Sequence, residues 1–423
     1  METVSICGKK NFEDIEKLDL SHRKLKNLPD EIQKFTNLKI LICGSNKITK
    51  LDKLPPSVKI LNCHTNKIHQ LDKLPMGLKV LNCADNKITQ LDNLPQSLEE
   101  INCNSNNITQ LDNLPQELEY LKCNGNNITN LDNLPQTLKI LDCGSNNITQ
   151  LDNLPIGLKE LYCSSNKIIQ LDNLPIGLKI LSCSYNKVTQ LNNLSIGLEI
   201  LDCHNNEITQ LDNLPIGLES LDCECNKITQ LNNLPMSLTR LDCCYNKIIT
   251  LNIPSMMKIL SCAYNEIIQL DNLPDKLETL CCAYNELTQL DNLPRELLNL
   301  SCCYNKLTTL NLPPKLCWLF CRKNNITQIN NIPDTLECLC CEFNQITEFN
   351  YLPLGLQGHL DCSHNPLIYN FEPTVKNIIN YINSQKSKKS KKKSKITSII
   401  EKIEIWYSIL IITIFTILIT NNN

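Results

Sequence analysis

The feature that most constrains this chain is a period of 20 residues. Residues 131–150 read LDNLPQTLKILDCGSNNITQ, and residues 151–170 read LDNLPIGLKELYCSSNKIIQ. The pattern runs from Leu38 to about Leu367, losing one residue near Ile253, another near Leu312, and gaining one near Gly358. Seventeen units carry its Asn, and a divergent first unit spans roughly Ile15 to Leu28. One such unit is too short to bury an apolar face alone, so neighbouring units must stack and share a core.

Each position then has a physical role. In the second unit Leu158, Leu161, Cys163, Asn166 and Ile168 carry the pattern L-x-x-L-x-C-x-x-N-x-I/L. Leu161 and Cys163 are two apart and point to one side of a short strand, while Glu160 and Tyr162 face out. Stacked strands about 4.8 Å apart form a parallel sheet. The turn after the strand leaves backbone groups without ladder partners. A recurring side-chain amide at Asn146, Asn166 and their equivalents is suited to satisfy them on its own and the adjacent coil. The return leg, LDNLP at Leu131 to Pro135, is too short for a full α-helix, and its Pro favours extended or single-turn 3₁₀ backbone. Leu131 and Leu134 are expected to point inward.

The layout L-P-x-x-L-x-x-L-x-C-x-x-N-x-I/L-x-x-L resembles the short, 20-residue class of leucine-rich repeats found in secreted bacterial effectors. It is also similar to Asn- and Ile-rich arrays in proteins of large DNA viruses and protists. The resemblance covers roughly residues 15–369 and implies an α/β-type leucine-rich-repeat solenoid: a curved parallel β-sheet on the concave side, an extended or 3₁₀ convex side, and few helices. The expected organisation is an N-terminal cap and divergent repeat over 1–37, a solenoid over 38–369, a capping helix over 370–384, a Lys-rich linker over 385–404 and a candidate transmembrane anchor over 405–420. Some effectors of this class carry a ubiquitin-ligase domain after the repeats. Only about 54 residues follow here and none is Cys, so that activity is not expected.

The chain departs from the family at one place: Cys replaces the usual aliphatic residue at the third core position in all 17 units. One thiol per coil, pointing in parallel, does not converge as zinc ligands do. Stacked positions are also somewhat far apart for disulfides. Cys143, Cys163 and their equivalents therefore read as packing residues. Eight further cysteines lie off the column: Cys7, Cys225, Cys244, Cys281, Cys303, Cys317, Cys338 and Cys340. Met1 to Asp14 contains Lys9, Lys10, Glu13 and Asp14 and no apolar stretch, which predicts no secretory leader and a reducing, intracellular compartment. Sequons such as Asn107-Ile108-Thr109 then reflect an Asn- and Thr-rich repeat.

No phosphate-binding Gly-rich loop, zincin motif, nucleophile elbow or catalytic carboxylate pair occurs. The expectation is a non-enzymatic chain with no catalytic residue, cofactor, metal or small-molecule substrate. A net charge of -3 also predicts no nucleic-acid partner. A protein partner is expected on the concave face. The outward strand residue there includes Tyr162 and the consecutive Asp202, Asp222 and Asp242, with Arg240 and Glu224 beside them. Like charges at strand spacing repel unless a cation or basic partner joins them. Trp318 and Phe320 face outward on one later coil and suit an aromatic hot spot. A third stripe, Tyr185, Tyr245, Tyr264, Tyr284, Tyr304 and Phe343, precedes the Asn and reads as stacking along the turn edge. The six His are scattered.

Beyond the repeats, Val375, Ile378, Ile379 and Ile382 have helical spacing. A Lys-Ser run over 386–395 follows, read as a solvated linker. Ile405 to Thr420 carries no charge for 16 residues and starts with Trp406 and Tyr407, where an interfacial belt would lie. Sixteen residues make about 24 Å of helix. The reading is an interaction scaffold held on the cytosolic face of a membrane by a C-terminal anchor. The alternatives are an adaptor recruiting ubiquitin machinery and a soluble structural repeat protein without a specific ligand.

Overall fold

The computed structural model describes residues 12–356, 359–388, 396–398 and 400. The chain forms a parallel β-solenoid with few helices. It divides into two compact units, the first ending at Glu286 and the second beginning at Leu287.

The first unit stacks three-residue strands from Lys17–Asp19 and Ile40–Ile42 through to Thr279–Cys281. Every pairing in it is parallel and links equivalent positions, such as Leu141 with Leu161 and Asp142 with Tyr162. Where the repeat loses a residue near Ile253, Leu241 still pairs with Leu260. The return leg absorbs the deletion, because slipping a strand by one residue would turn its buried Leu to solvent.

The side chains alternate as the period predicts. In the coil starting at Leu151, Leu158, Leu161, Cys163 and Ile168 are fully buried, and Leu151 nearly so. Burying such a Leu or Ile stabilises by about 1.5–3 kcal/mol before the entropy of ordering is counted. Leu131 and Leu134 on the return leg are buried as well. That leg contains no helix. Most coils are closed by two residues in left-handed backbone, for example Asn133 at φ 57° and Ser145 at φ 50°. Asn accepts this conformation readily, which accounts for the Asn of LDNLP. At the N-terminal end, Ile32 and Phe35 are buried, and the Phe12 and Phe35 rings meet edge to face at 4.9 Å.

The second unit repeats the plan with strands Asn299–Ser301, Trp318–Phe320, Cys338–Cys340 and Leu360–Asp361. Its return legs add a short second ladder that the sequence analysis did not anticipate, pairing Thr309–Asn311 with Gln328–Asn330. The chain is helical over 375–388. Val375, Ile378 and Ile382 are buried, and Ile379 is half-buried. The helix thus runs past residue 384 into the stretch expected to be a linker. Lys is a good helix former and loses little there. Residues 405–420, with Ile405, Trp406, Tyr407 and Thr420, lie outside the described residues. Among the described residues no helix is long and apolar enough to cross a membrane.

Candidate interaction face

The geometry of the site begins inside the coil. Asn146 donates from Nδ2 to the carbonyls of Cys123, Cys143 and Gly144 at 2.9, 3.1 and 2.9 Å. Its Oδ1 accepts the Ile128 N–H at 2.9 Å. Asn166 repeats this with Cys143, Cys163 and Ser164 as acceptors and the Ile148 N–H as donor. The amide thus joins two coils, chiefly through Cys carbonyls and an Ile N–H that have no backbone partner. The thiols of Cys143 and Cys163 are fully buried between these bonds. Burial pushes the Cys43 and Cys83 thiols up to about 12, and those of Cys143 and Cys163 are raised further in the same direction. No disulfide forms among the described cysteines.

The open face of the first unit's sheet carries the first and third residues of each strand. Asp202, Asp222 and Asp242 stand in register on adjacent strands. Each accepts a backbone N–H two residues ahead: His204 at 3.4 Å, Glu224 at 3.1 Å and Cys244 at 3.1 Å. Asn82, Asn102 and Asp142 make the same bond. An Asx turn therefore ends many of these strands, a local reason for Asn or Asp that the sequence analysis missed. Neutral Asn serves it equally well, so the charge on three consecutive coils is additional.

The structure also gathers what the sequence scatters. His204 Nδ1 lies 2.6 Å from Asp202 Oδ1 and 3.8 Å from Asp222 Oδ2. The Ser182 hydroxyl donates to Asp202 at 2.8 Å. Asp222 stands between the other two carboxyls. Burial raises its pKa, Asp242 and Asp202 add to the rise, and the Glu224 N–H and His204 oppose it. Donor atoms of Asp202, His204 and Asp222 lie within 4.8 Å of one another, as do those of Asp222, Glu224 and Asp242. His204 follows Asp202 by two residues, and the turn folds its ring back over the strand end, a pairing the sequence analysis did not weigh. The hydrogen bonds already present account for these positions without a metal.

The remaining residues fall as follows. Tyr162 is half-buried and donates its hydroxyl to Glu160 at 2.9 Å; burial first, then that carboxylate, pushes its pKa up to about 12. Arg240 is exposed at the start of its strand. In the second unit, Trp318 is half exposed and Phe320 half-buried, in register with Cys338 and Cys340. The Cys338 and Cys340 thiols lie 4.0 Å apart.

On the turn edge, Tyr264 stacks between Tyr245 and Tyr284 at centroid distances of 4.1 and 4.0 Å. In the second unit Arg322 lies 5.0 Å over Phe343, and Lys323 lies 4.8 Å over Tyr304. All these aromatic residues have left-handed backbone. The stripe thus tolerates a strained conformation, costing on the order of 1–2 kcal/mol per residue, that ring stacking helps offset.

A parallel solenoid of L-x-x-L-x-C-x-x-N coils, with its amides bridging adjacent turns, defines a leucine-rich-repeat protein, and the chain belongs to that family. Among solved structures it is similar to YopM from Yersinia enterocolitica, at 30% identity over 84% of this chain and 88% of that one, TM-score 0.67. A second likeness is YopM of Yersinia pestis, a leucine-rich effector protein, at 27% identity over 77% and 88% of the two chains, TM-score 0.67. The functional domain of InlJ from Listeria monocytogenes, which includes a cysteine ladder, matches at 28% identity over 82% and 72%, TM-score 0.60. No protein-family profile matches the chain. No curated protein matches it.

Proposed function

We propose that this protein is a non-enzymatic interaction scaffold whose open sheet face binds a protein partner with a basic surface. The likeness to a leucine-rich effector and to InlJ supports protein partners in general. The observation that carries the finer reading is the run of carboxylates at Asp202, Asp222 and Asp242 in strand register. The Asx turn needs no charge, so the chain maintains a repulsion that a cationic partner would relieve. Tyr162 and Arg240 flank this run and would set its register. Trp318 and Phe320 give the second unit its own candidate anchor, a half-exposed ring pair of the kind that dominates binding energy.

The test is proximity labelling in the native cell with the wild-type chain and with Asp202→Lys/Asp222→Lys/Asp242→Lys. The reading expects labelled basic proteins to disappear with the variant. An unchanged set would remove the acidic run from consideration.

Tethering is the second element of the proposal. The uncharged stretch Ile405 to Thr420 and the Lys run before it would hold the scaffold on the cytosolic face of a membrane. Fractionation without detergent, comparing the full chain with one ending at Gln385, checks this. Equal solubility of the two would rule it out.

A further inference from the structure

One row of side chains is not explained by the coil or by the open sheet face. It lies at the turn that leads into each strand, at the residue after LP, or after Leu194-Ser195 in one coil. Here Ile156, Ile176, Ile196, Ile216 and Met236 occupy five consecutive coils and are 61–79% exposed. The three preceding coils carry Gln96, Gln116 and Gln136 at the same position, and the two following carry Ser255 and Asp275. The fold therefore does not require an apolar residue there.

The residue next to each Ile is Gly: Gly157, Gly177, Gly197 and Gly217. None has the left-handed backbone that would call for Gly. A Cβ would meet nothing within 4 Å at Gly217, and only ordinary contacts at 3.7 and 3.9 Å at Gly157 and Gly197. At Gly177 it would meet only the flexible end of Lys159. In flanking coils this position is Thr137 or Ser237, whose hydroxyls bond the Leu118 and Leu218 carbonyls at 2.8 and 2.7 Å. Three of the four coils thus forgo a hydrogen bond and a side chain with no internal reason; in the Gly197 coil the Ser195 hydroxyl bonds the Ile176 carbonyl instead. A bare backbone beside exposed Ile suits close approach by another surface.

We infer that this Ile–Gly edge is the interface through which two copies of the chain pair antiparallel. The row presents on the order of 500 Å² of apolar surface, at the upper end of what monomeric proteins leave exposed. That is most of the roughly 800 Å² per partner in a standard interface. The bordering charges choose the occupant and its direction. Lys159 borders one end of the row and Glu219 the other, and between them Lys179 and Glu199 bond to each other within one chain at 2.7 Å. A two-fold axis lying across the row between Ile176 and Ile196 sets Ile156 opposite Ile216 of the second copy. It also sets Lys159 against Glu219, and lays the Lys179–Glu199 pair antiparallel to its mate so that each charge faces an opposite one. A parallel pairing in register would set Lys on Lys. The edge is complementary to itself in one orientation, as an isologous contact requires.

Sedimentation velocity on the full chain tests the inference. The wild type should show a concentration-dependent monomer–dimer equilibrium. Ile176→Gln/Ile196→Gln should weaken it at least about tenfold, since residues at the centre of an interface carry most of its binding energy. Gln is the residue that neighbouring coils already carry there, so folding is not at stake. Lys159→Glu/Lys179→Glu and Glu199→Lys/Glu219→Lys should each dimerise poorly alone and recover dimer mass when mixed. A wild type that stays monomeric at tens of micromolar, or a Gln variant that associates like the wild type, would overturn the assignment. Failure to recover on mixing would overturn the antiparallel pairing.

Discussion

Asn166 donates its side-chain amide to the backbone carbonyl of Cys143, 3.0 Å away in the preceding coil. The same carbonyl accepts Asn146 from its own coil at 3.1 Å. The Cys143 N–H meanwhile donates to the Tyr162 carbonyl at 2.8 Å. Backbone groups at the strand end are therefore fully satisfied only when coils stack, and the amide column makes each coil depend on its neighbour. That coupling, together with the buried Leu and Cys columns, is what makes a chain of small units cooperative.

Asn146 is the sharpest place to test the column, because it is buried and makes four of these bonds. Asn146→Ala takes away the acceptor of the Ile128 N–H, while the Cys123, Cys143 and Gly144 carbonyls lose one donor and keep Asn126, Asn166 and the Gly125 N–H. We expect a loss of about 1–3 kcal/mol, read from the urea midpoint. A variant within experimental error of the wild type would mean that water replaces the amide.

The thiol column makes the fold sensitive to alkali. Burial holds Cys43 and Cys83 at about 12, against 9.0 for an ordinary thiol. Across that window the folded chain keeps protons that the unfolded chain releases, so rising pH favours unfolding. The contribution is complete below 9.0 and is lost as pH climbs toward about 12. Urea midpoints measured across the window should fall steadily; a flat profile would count against buried thiols.

Asp222→Asn separates charge from turn. The amide oxygen still accepts the Glu224 N–H, while the repulsion from Asp202 and Asp242 disappears. The raised pKa means that the ionised carboxyl is penalised in the folded chain. Its stabilising share is complete below the ordinary 3.8 and declines as pH rises. At neutral pH the variant should be more stable by about 0.2–1 kcal/mol, seen as a higher melting temperature. A lower melting temperature would show that the charge is structural.

Asn133, at φ 57°, tests the left-handed return leg. Asn133→Ala should cost about 1 kcal/mol, and Asn133→Gly only a few tenths, by thermal melting. Equal effects of the two substitutions would remove backbone conformation as the reason for Asn in LDNLP.

The 20-residue period made the parallel strands and the membership of each buried column legible before any coordinates. Residues such as Leu161, Cys163 and Ile168 read correctly because burial in a stacked coil follows local alternation, and repetition averages out accidents. The open face was legible only in part. The row of Asp202, Asp222 and Asp242 followed from spacing, but their Asx turns did not, nor did His204 closing on Asp202 at 2.6 Å.

What the sequence determined by itself is therefore the repeat, its register and the identity of its inner columns. Only the tertiary structure decided which residues outside those columns meet one another and which stand bare. The sign of φ at Ser145 and Tyr264 depends on how the backbone closes each coil, and so does the projection of Ile176 and Ile196 into solvent. Alternation encodes in and out for a strand. It carries no information about a turn, where direction is set by the path the chain must take to reach the next coil.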